Sequence, residues 1–240
     1  MNKSEVAEIL GAFIGDGWIE SRKKAAYILG DKTEDKPYYD NYLAPLFLKN
    51  FNYVKVKLFE KWKVYGIVIY KRKIIEKLIN LNFLIGKKCY TAYIPENFFN
   101  LKNKRIYSAI IRGLFDADGC FWCEKSRAKT SCKWKRTHNY HPELCITSCS
   151  IKLLKQVKEM LDFLNIDSYI SKKHNNGIKN NRNVNDSYIL RVRKIKEIKK
   201  WFKIIGTSNP KHKTKYLIWK KFKYLPTKTT LNERLKVLNY

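Results

Sequence analysis

"EILGAFIGDGWIE", Glu8 to Glu20, starts as an amphipathic helix and ends on an acid where helices tolerate acids least. Ile9, Leu10, Phe13 and Ile14 recur at helical spacing, Gly11 and Gly15 lie one turn apart, and Asp16-Gly17 closes the run. Glycine past the last turn is an ordinary helix stop. An aspartate in that turn faces the negative end of the helix dipole, and an interior glycine costs about 1 kcal/mol relative to alanine. The plan returns in "AIIRGLFDADGCFW", Ala109 to Trp122, with Gly113 and Ala117 four apart and a stop at Asp118-Gly119.

Residues four apart share a helix face. Gly11/Gly15 and Gly113/Ala117 therefore predict two helices whose backbones approach closely. Packed side by side and parallel, they bring Asp16 and Asp118 to one edge of the molecule. Two carboxylates at negative helix ends call for a divalent cation. Hard oxygen ligands suit Mg²⁺, which keeps waters and takes phosphate oxygens. A metal held there activates water against a phosphodiester and stabilises the leaving oxygen. One Asp-Gly after a helix is usually only a turn; two copies within a repeated architecture carry more weight.

The text after each motif repeats as well. In the first half, a strand pair is expected in Trp18–Lys32 and a helix near Tyr38–Asn50, kinked at Pro45. A period-two hairpin follows in Tyr53–Lys71, then a helix over Lys73–Gly86. In the second half, strands are expected near Cys120–Lys135 and in Glu143–Cys149, then a helix over Ser150–Asn165. Strands in "SYISKK" and "SYILRVR" and a helix over Lys194–Gly206 complete it. The predicted fold is α/β (α+β) with two pseudo-symmetric αββαββα halves, at 1–86 and 104–206. A linker covers 87–103 and a basic C-terminal segment 207–240.

The chain has 240 residues and a formal net charge of +29, from 50 Lys+Arg against 21 Asp+Glu. Such charge suits a polyanionic partner. Residues 1–103 carry 18 basic and 11 acidic side chains, net +7; residues 104–240 carry 32 and 10, net +22. A hydrophobic content of 45% excludes a disordered polybasic chain. No run approaches the 18 apolar residues of a membrane span, and there is no signal-peptide core. Membrane partners are therefore not expected, and the six cysteines read as reduced thiols of an intracellular protein. Cys120, Cys123, Cys132, His138, His141, Cys145 and Cys149 lack zinc-site spacing.

On the predicted strands, Lys55 and Lys57 share a face opposite Val54, Val56 and Leu58, and Arg191 and Arg193 share a face opposite Leu190 and Val192. With Arg22, Lys24, Lys133, Lys135 and Arg136 they are candidates to line a groove by phosphate and base-edge contacts.

"ILGAFIGDG" (Ile9–Gly17) and "IRGLFDADG" (Ile111–Gly119) resemble the two motifs of a single-chain LAGLIDADG homing endonuclease, and "IGTSNPKHKTKY" (Ile205–Tyr216) resembles the closing segment of such proteins. The first motif departs from the pattern at Ile14, where the family has an earlier aspartate. The resemblance implies a monomer whose two sheets form a saddle over double-stranded DNA. It implies Mg²⁺-dependent cleavage of both strands of a long, asymmetric target, with Mn²⁺ as a substitute and Ca²⁺ binding without supporting cleavage. Asp16 and Asp118 would be the metal ligands, helped by the carbonyls of Gly15 and Ala117, while Asp116 would pack or cap. The family's strand glutamines match Gly30 and Ser148 here, so neither is retained. Its basic catalytic residues match Lys71 and Arg193, with Lys194 adjacent. The rival reading on the same fold is a maturase that grips intron RNA; retention of both aspartates favours the nuclease.

Overall fold

The computed structural model describes residues 2–124, 138–173, 178–179, 182–183 and 186–239. Both motif stretches are helices, α1 (Lys3–Asp16) and α6 (Lys104–Asp118), and each aspartate is the last helical residue. Asn2 and Asn103 cap the N-termini by accepting backbone N–H groups. At the other ends Gly17 and Gly119 have φ of −103° and −83°, so glycine is not there for left-handed backbone. It is there for room. A Cβ at Gly17 would lie 2.5 Å from the Phe13 ring, and one at Gly119 2.2 Å from the Phe115 ring.

The first half continues with β1 (Gly17–Ile19), β2 (Ala26–Asp31), α2 (Lys36–Tyr38), a π turn over Tyr39–Leu43 and α3 (Ala44–Phe51). Then come β3 (Val56–Phe59), β4 (Val64–Ile69) and α4 (Arg72–Asn80). The short α5 (Glu96–Phe99) lies in the connection to α6. The second half follows with β5 (Gly119–Glu124), β6 (His138–Asn139), β7 (His141–Ser148), α7 (Ile151–Phe163) and β8 (Tyr169–Lys173). Next are β9 (Ile178–Lys179), β10 (Arg182–Asn183), β11 (Ser187–Val192) and α8 (Ile195–Ile204). Beyond it lie α9 (Pro210–Phe222), β12 (Leu225–Pro226) and α10 (Leu231–Leu238).

The two large sheets are antiparallel throughout, ordered β1-β2-β4-β3 and β5-β7-β11-β8. Counting only the strands of each sheet, both orders read 1-2-4-3, so the expected repeat is present in topology as well as in text. No helix among the described residues is long and apolar enough to cross a membrane.

Two helices differ from the expected ranges. Pro45 cannot donate a backbone hydrogen bond, and the chain answers with the π turn just before it, in which the Ala44 N–H reaches the Tyr39 carbonyl. The helix expected over Lys73–Gly86 stops at Asn80. Asn82 turns left-handed at φ 65°, its N–H bonds the Ile79 carbonyl, and the Phe83 N–H bonds Leu78. Gly86, at φ +74°, instead donates to the Ile19 carbonyl at the edge of β1.

α1 and α6 form the centre of the molecule. A Cβ on Gly11 would lie 2.1 Å from the Ile110 carbonyl oxygen, and one on Gly113 2.0 Å from that of Glu8. Gly11 and Gly113, and likewise Glu8 and Ile110, are 102 positions apart, as are Asp16 and Asp118. The contacts are thus exchanged by a local two-fold between the helices. The core runs unbroken from this pair into both sheets. The connecting segment joins it through buried Ala92, Ile94 and Phe98.

Candidate active site

Where α1 and α6 end together, Gly15 lies beside the second acid: a Cβ on it would be 2.6 Å from the Ala117 Cβ and 3.5 Å from that of Asp118. Asp16 is half-buried, and Asp118 is exposed at the mouth of the recess. The protein around them disfavours charge on both. Desolvation, then the charges of Asp118 and Asp35, push the Asp16 carboxyl up to about 8. Desolvation also raises Asp118 against the pull of Lys88 and Lys211. Two acids held above their ordinary range by desolvation, with Asp118 adding to the rise at Asp16, form a centre short of positive charge.

The cations that act on this pair are Lys88 and Lys211. Neither was singled out in the sequence. Lys88 Nζ donates to the Phe13 and Gly15 carbonyls, both at 2.7 Å, and to that of Ile14. It therefore sits on the negative end of α1 and softens the penalty raised by the opening sequence. Desolvation lowers its pKa to about 8, although Asp118 and Asp16 favour its charge. Lys211, in the first turn of α9, pairs with buried Asp35 at 2.7 Å. The signal for both lysines was a second small repeat: Ile85-Gly86 and Ile205-Gly206 close the two halves, and each lysine follows its closure.

Lys71 and Arg193 are not among the charges that act on the two aspartates. Lys71 is exposed, its ammonium 6.0 Å from the Tyr53 ring centre. Arg193 pairs with Glu124 and, at 3.1 Å, with Glu143. Lys194 pairs with Asp167 at 2.6 Å.

The two glutamine places also have physical explanations. A side chain at Gly30 would lie 3.0 Å from the Asp35 carboxylate and the Tyr39 ring, so those groups already fill the space. Buried Tyr39 is in turn affected by the charge of Asp16 and a hydrogen bond with it. Ser148 borders the recess of Asp118, its hydroxyl accepting from the Ser150 N–H at 3.1 Å.

Asp116 is buried and holds the closing segment, accepting from the Thr207 hydroxyl and, at 2.7 Å, from the Ser208 N–H. That is the capping role the resemblance implied. Its first-motif counterpart is Ile14, an apolar side chain buried in the core.

The outer faces of the sheets differ. Lys55 and Lys57 are exposed and lie over aromatic rings, 5.6 Å from Tyr70 and 4.9 Å from Phe59. Trp18 and Tyr27 stack beside them at 4.7 Å, and Tyr27 meets Tyr70 edge-on at 6.4 Å. In the second half Arg191 and Arg193 do share a face, but both are held by buried Glu143. Arg22 and Lys24 lie at the β1–β2 turn, where they line a recess with Lys23 and Arg72. Lys133, Lys135 and Arg136 lie outside the described residues. Cys120 and Cys145 face each other across β5 and β7, whereas Cys123 points into the core.

Among the described residues no three His, Cys, Asp or Glu groups gather to hold a metal. A cation here would draw on Asp16, Asp118 and the helix-end carbonyls of Gly15 and Ala117.

A LAGLIDADG-like domain matches residues 105–206. Among solved structures, I-DmoI in complex with DNA and Ca is similar at 19% identity, over 85% of this chain and 91% of that one, with a TM-score of 0.53. A mutant of I-SmaMI is similar at 12% identity, over 93% and 90%, with a TM-score of 0.54. Full-length DUF199/WhiA from Thermatoga maritima is similar at 15% identity, over 99% of this chain and 66% of that one, with a TM-score of 0.52. At these identities the likeness is one of fold. No curated protein sequence matches the chain.

Proposed function

We propose that this protein is a site-specific DNA endonuclease, because residues 105–206 match a LAGLIDADG-like domain and 85% of the chain is similar in fold to the homing endonuclease I-DmoI. It would cleave both strands of a long, asymmetric target by metal-dependent phosphodiester hydrolysis. The observation that carries the proposal is the convergence of Asp16 and Asp118 at the paired ends of α1 and α6.

The residues fit a hard divalent cation. The two carboxylates are desolvated and raised in pKa, which is the mark of a pair awaiting positive charge. Helix-end carbonyls supply further oxygens, a donor set suited to Mg²⁺. When bound, the metal would polarise the phosphate and lower the pKa of its water. The chain's own groups do the rest. Asp16 and Asp118 would each offer a carboxylate to divalent metal at this edge, and Lys211 would sit on Asp35 next to Asp16. The local two-fold would set one acid toward each strand of a duplex, whose strands are themselves related by a two-fold. Lys55 and Lys57, with the aromatic face around them, would contact the first half of the target. Phosphate contacts position such a surface, and apolar or bidentate contacts to base edges specify it.

The decisive experiment is digestion of a plasmid carrying the DNA that flanks the gene, joined as it would be without the gene. Linearisation in Mg²⁺ by the parent, and none by Asp16→Asn or Asp118→Asn, is the expected result. An intron-RNA binder on this fold would bind without cutting, and the two variants would behave as the parent does.

A further inference from the structure

The two motif helices are exchanged by a local two-fold, yet their carbonyl ends are treated differently. At the end of α1 the carbonyls of Phe13, Ile14 and Gly15 all accept from one ammonium, that of Lys88. At the end of α6 the counterpart of Ile14 is Asp116, whose carbonyl accepts from the neutral Asn209 amide at 3.0 Å. The counterpart of Gly15 is Ala117, and no side chain among the described residues donates to its carbonyl. Lys88 is held in place by its own segment. Its carbonyl accepts from the Ala92 N–H at 2.8 Å, and the buried Ser150 hydroxyl donates to the Ala92 carbonyl at 2.6 Å.

Gly15 is the helix-end residue beside Asp118. Lys88 and Gly15 border the recess that contains Asp118 as well as the one that contains Asp16. The Lys88 ammonium thus occupies the carbonyl that a metal on Asp118 would need, while the matching carbonyl near Asp16 carries none. Resting on the metal-nuclease reading, we propose that Lys88 is a built-in cation that shuts one of two equivalent metal positions. The first divalent ion loads at Asp16 and the Ala117 carbonyl. A second enters at Asp118 and the Gly15 carbonyl only when the Lys88 side chain leaves. An ammonium and a divalent ion on one carbonyl oxygen would stand at contact distance, where their repulsion remains even in a water-like dielectric.

The test is Mn²⁺ binding to the full-length, DNA-free protein, read as loss of the free-ion electron paramagnetic resonance signal. Parent, Lys88→Gln and Lys88→Arg are compared, with thermal melts as a check on folding. Glutamine keeps N–H donors for the carbonyls without the charge; arginine keeps the charge. The parent and the arginine variant should bind one ion well and a second at least about tenfold more weakly. Lys88→Gln should bring the second site to within a few-fold of the first. Adding Asp118→Asn to Lys88→Gln should remove the gained site, and Asp16→Asn alone should remove the parent's first. Two equal sites in the parent, or identical isotherms for glutamine and arginine, would overturn the proposal and leave the nuclease reading standing. No Mn²⁺ binding by any folded variant would overturn both.

Discussion

Asp16 and Asp118 were legible in the sequence because an acid before a stop glycine, repeated at a fixed offset, has no packing explanation. Their surroundings were not. Lys88, Asp35, Tyr39 and Lys211 reach the pair from separate segments, and only the folded chain brings them together. Asp16→Asn and Asp118→Asn should each abolish double-strand cleavage while metal-free DNA binding holds or tightens, measured by gel shift in chelator. The removed carboxylate repels phosphate by about 1 kcal/mol at 4 Å even in water. The acids also give stability a definite pH dependence. Asp16 sits at about 8 in the fold against an ordinary 3.8. The folded protein therefore keeps a proton that the unfolded chain sheds, and this share of stability is full below pH 3.8 and lost as pH rises toward 8. Asp118 acts in the same direction. Lys88, lowered to about 8 from 10.5, penalises the fold below pH 8, and the penalty is relieved above it. Metal-free protein should thus melt lower at pH 8 than at pH 5. In Asp16→Asn that drop should shrink by more than about 1 kcal/mol, since each pKa unit is worth about 1.4 kcal/mol. Melts with the same pH dependence in parent and variant would refute it.

At the scale of elements, the close-packed pair of α1 and α6 followed from four small residues, and its consequences are sharper than size alone suggested. In an exposed helix, Gly→Ala stabilises by about 1 kcal/mol. Here a single Cβ on Gly113 would lie 2.0 Å from a carbonyl oxygen of the facing helix. Gly113→Ala and Gly11→Ala should each therefore destabilise, by about 1–3 kcal/mol from overpacking, and a denaturant melt gives the sign directly. A second tie was missed. Glu8 lies within the buried stretch of α1 and pairs with Arg112 of α6, whose Nε is 2.8 Å away. Tyr42 and Ser208 also donate to Glu8, and Arg112 also donates to the Ile205 carbonyl. A charge inside an apolar helix face was the signal, but its partner is over a hundred residues away. Arg112→Met should cost about 3–5 kcal/mol by leaving Glu8 buried and unpaired; a smaller loss in the melt would mean that Tyr42 and Ser208 suffice. Boundaries were least legible where local rules compete. A π turn precedes Pro45 where a single helix was expected, and Asn82 ends α4 ahead of the glycine that looked like its stop.

For the whole molecule, the charge of +29 and its lean toward residues 104–240 were plain in the composition; which charges are free was not. Lys55 and Lys57 carry no ion pair among the described residues, whereas Arg191 and Arg193 are already matched by Glu143. If roughly ten phosphates are neutralised, log K against log salt should have a slope near −9, and each lost contact should reduce it by about 0.9. Lys55→Gln with Lys57→Gln should therefore flatten the slope more than Arg191→Gln with Arg193→Gln. The arginine set should lower the melting temperature instead, because it strands Glu143. Equal slope changes would show that the ion pairs open on DNA. The basic C-terminal segment 207–240 folds as α9 and α10 and grips both halves. The Asn209 amide donates to Asp35 and to the Asp116 carbonyl, while buried Arg234 pairs with Glu34. The two halves are consequently not interchangeable modules. A chimera that exchanges the first half of this chain for that of another must carry Glu34 and Asp35 along with it, or supply a different latch. A split version would yield one piece with a fastener and one with only its socket.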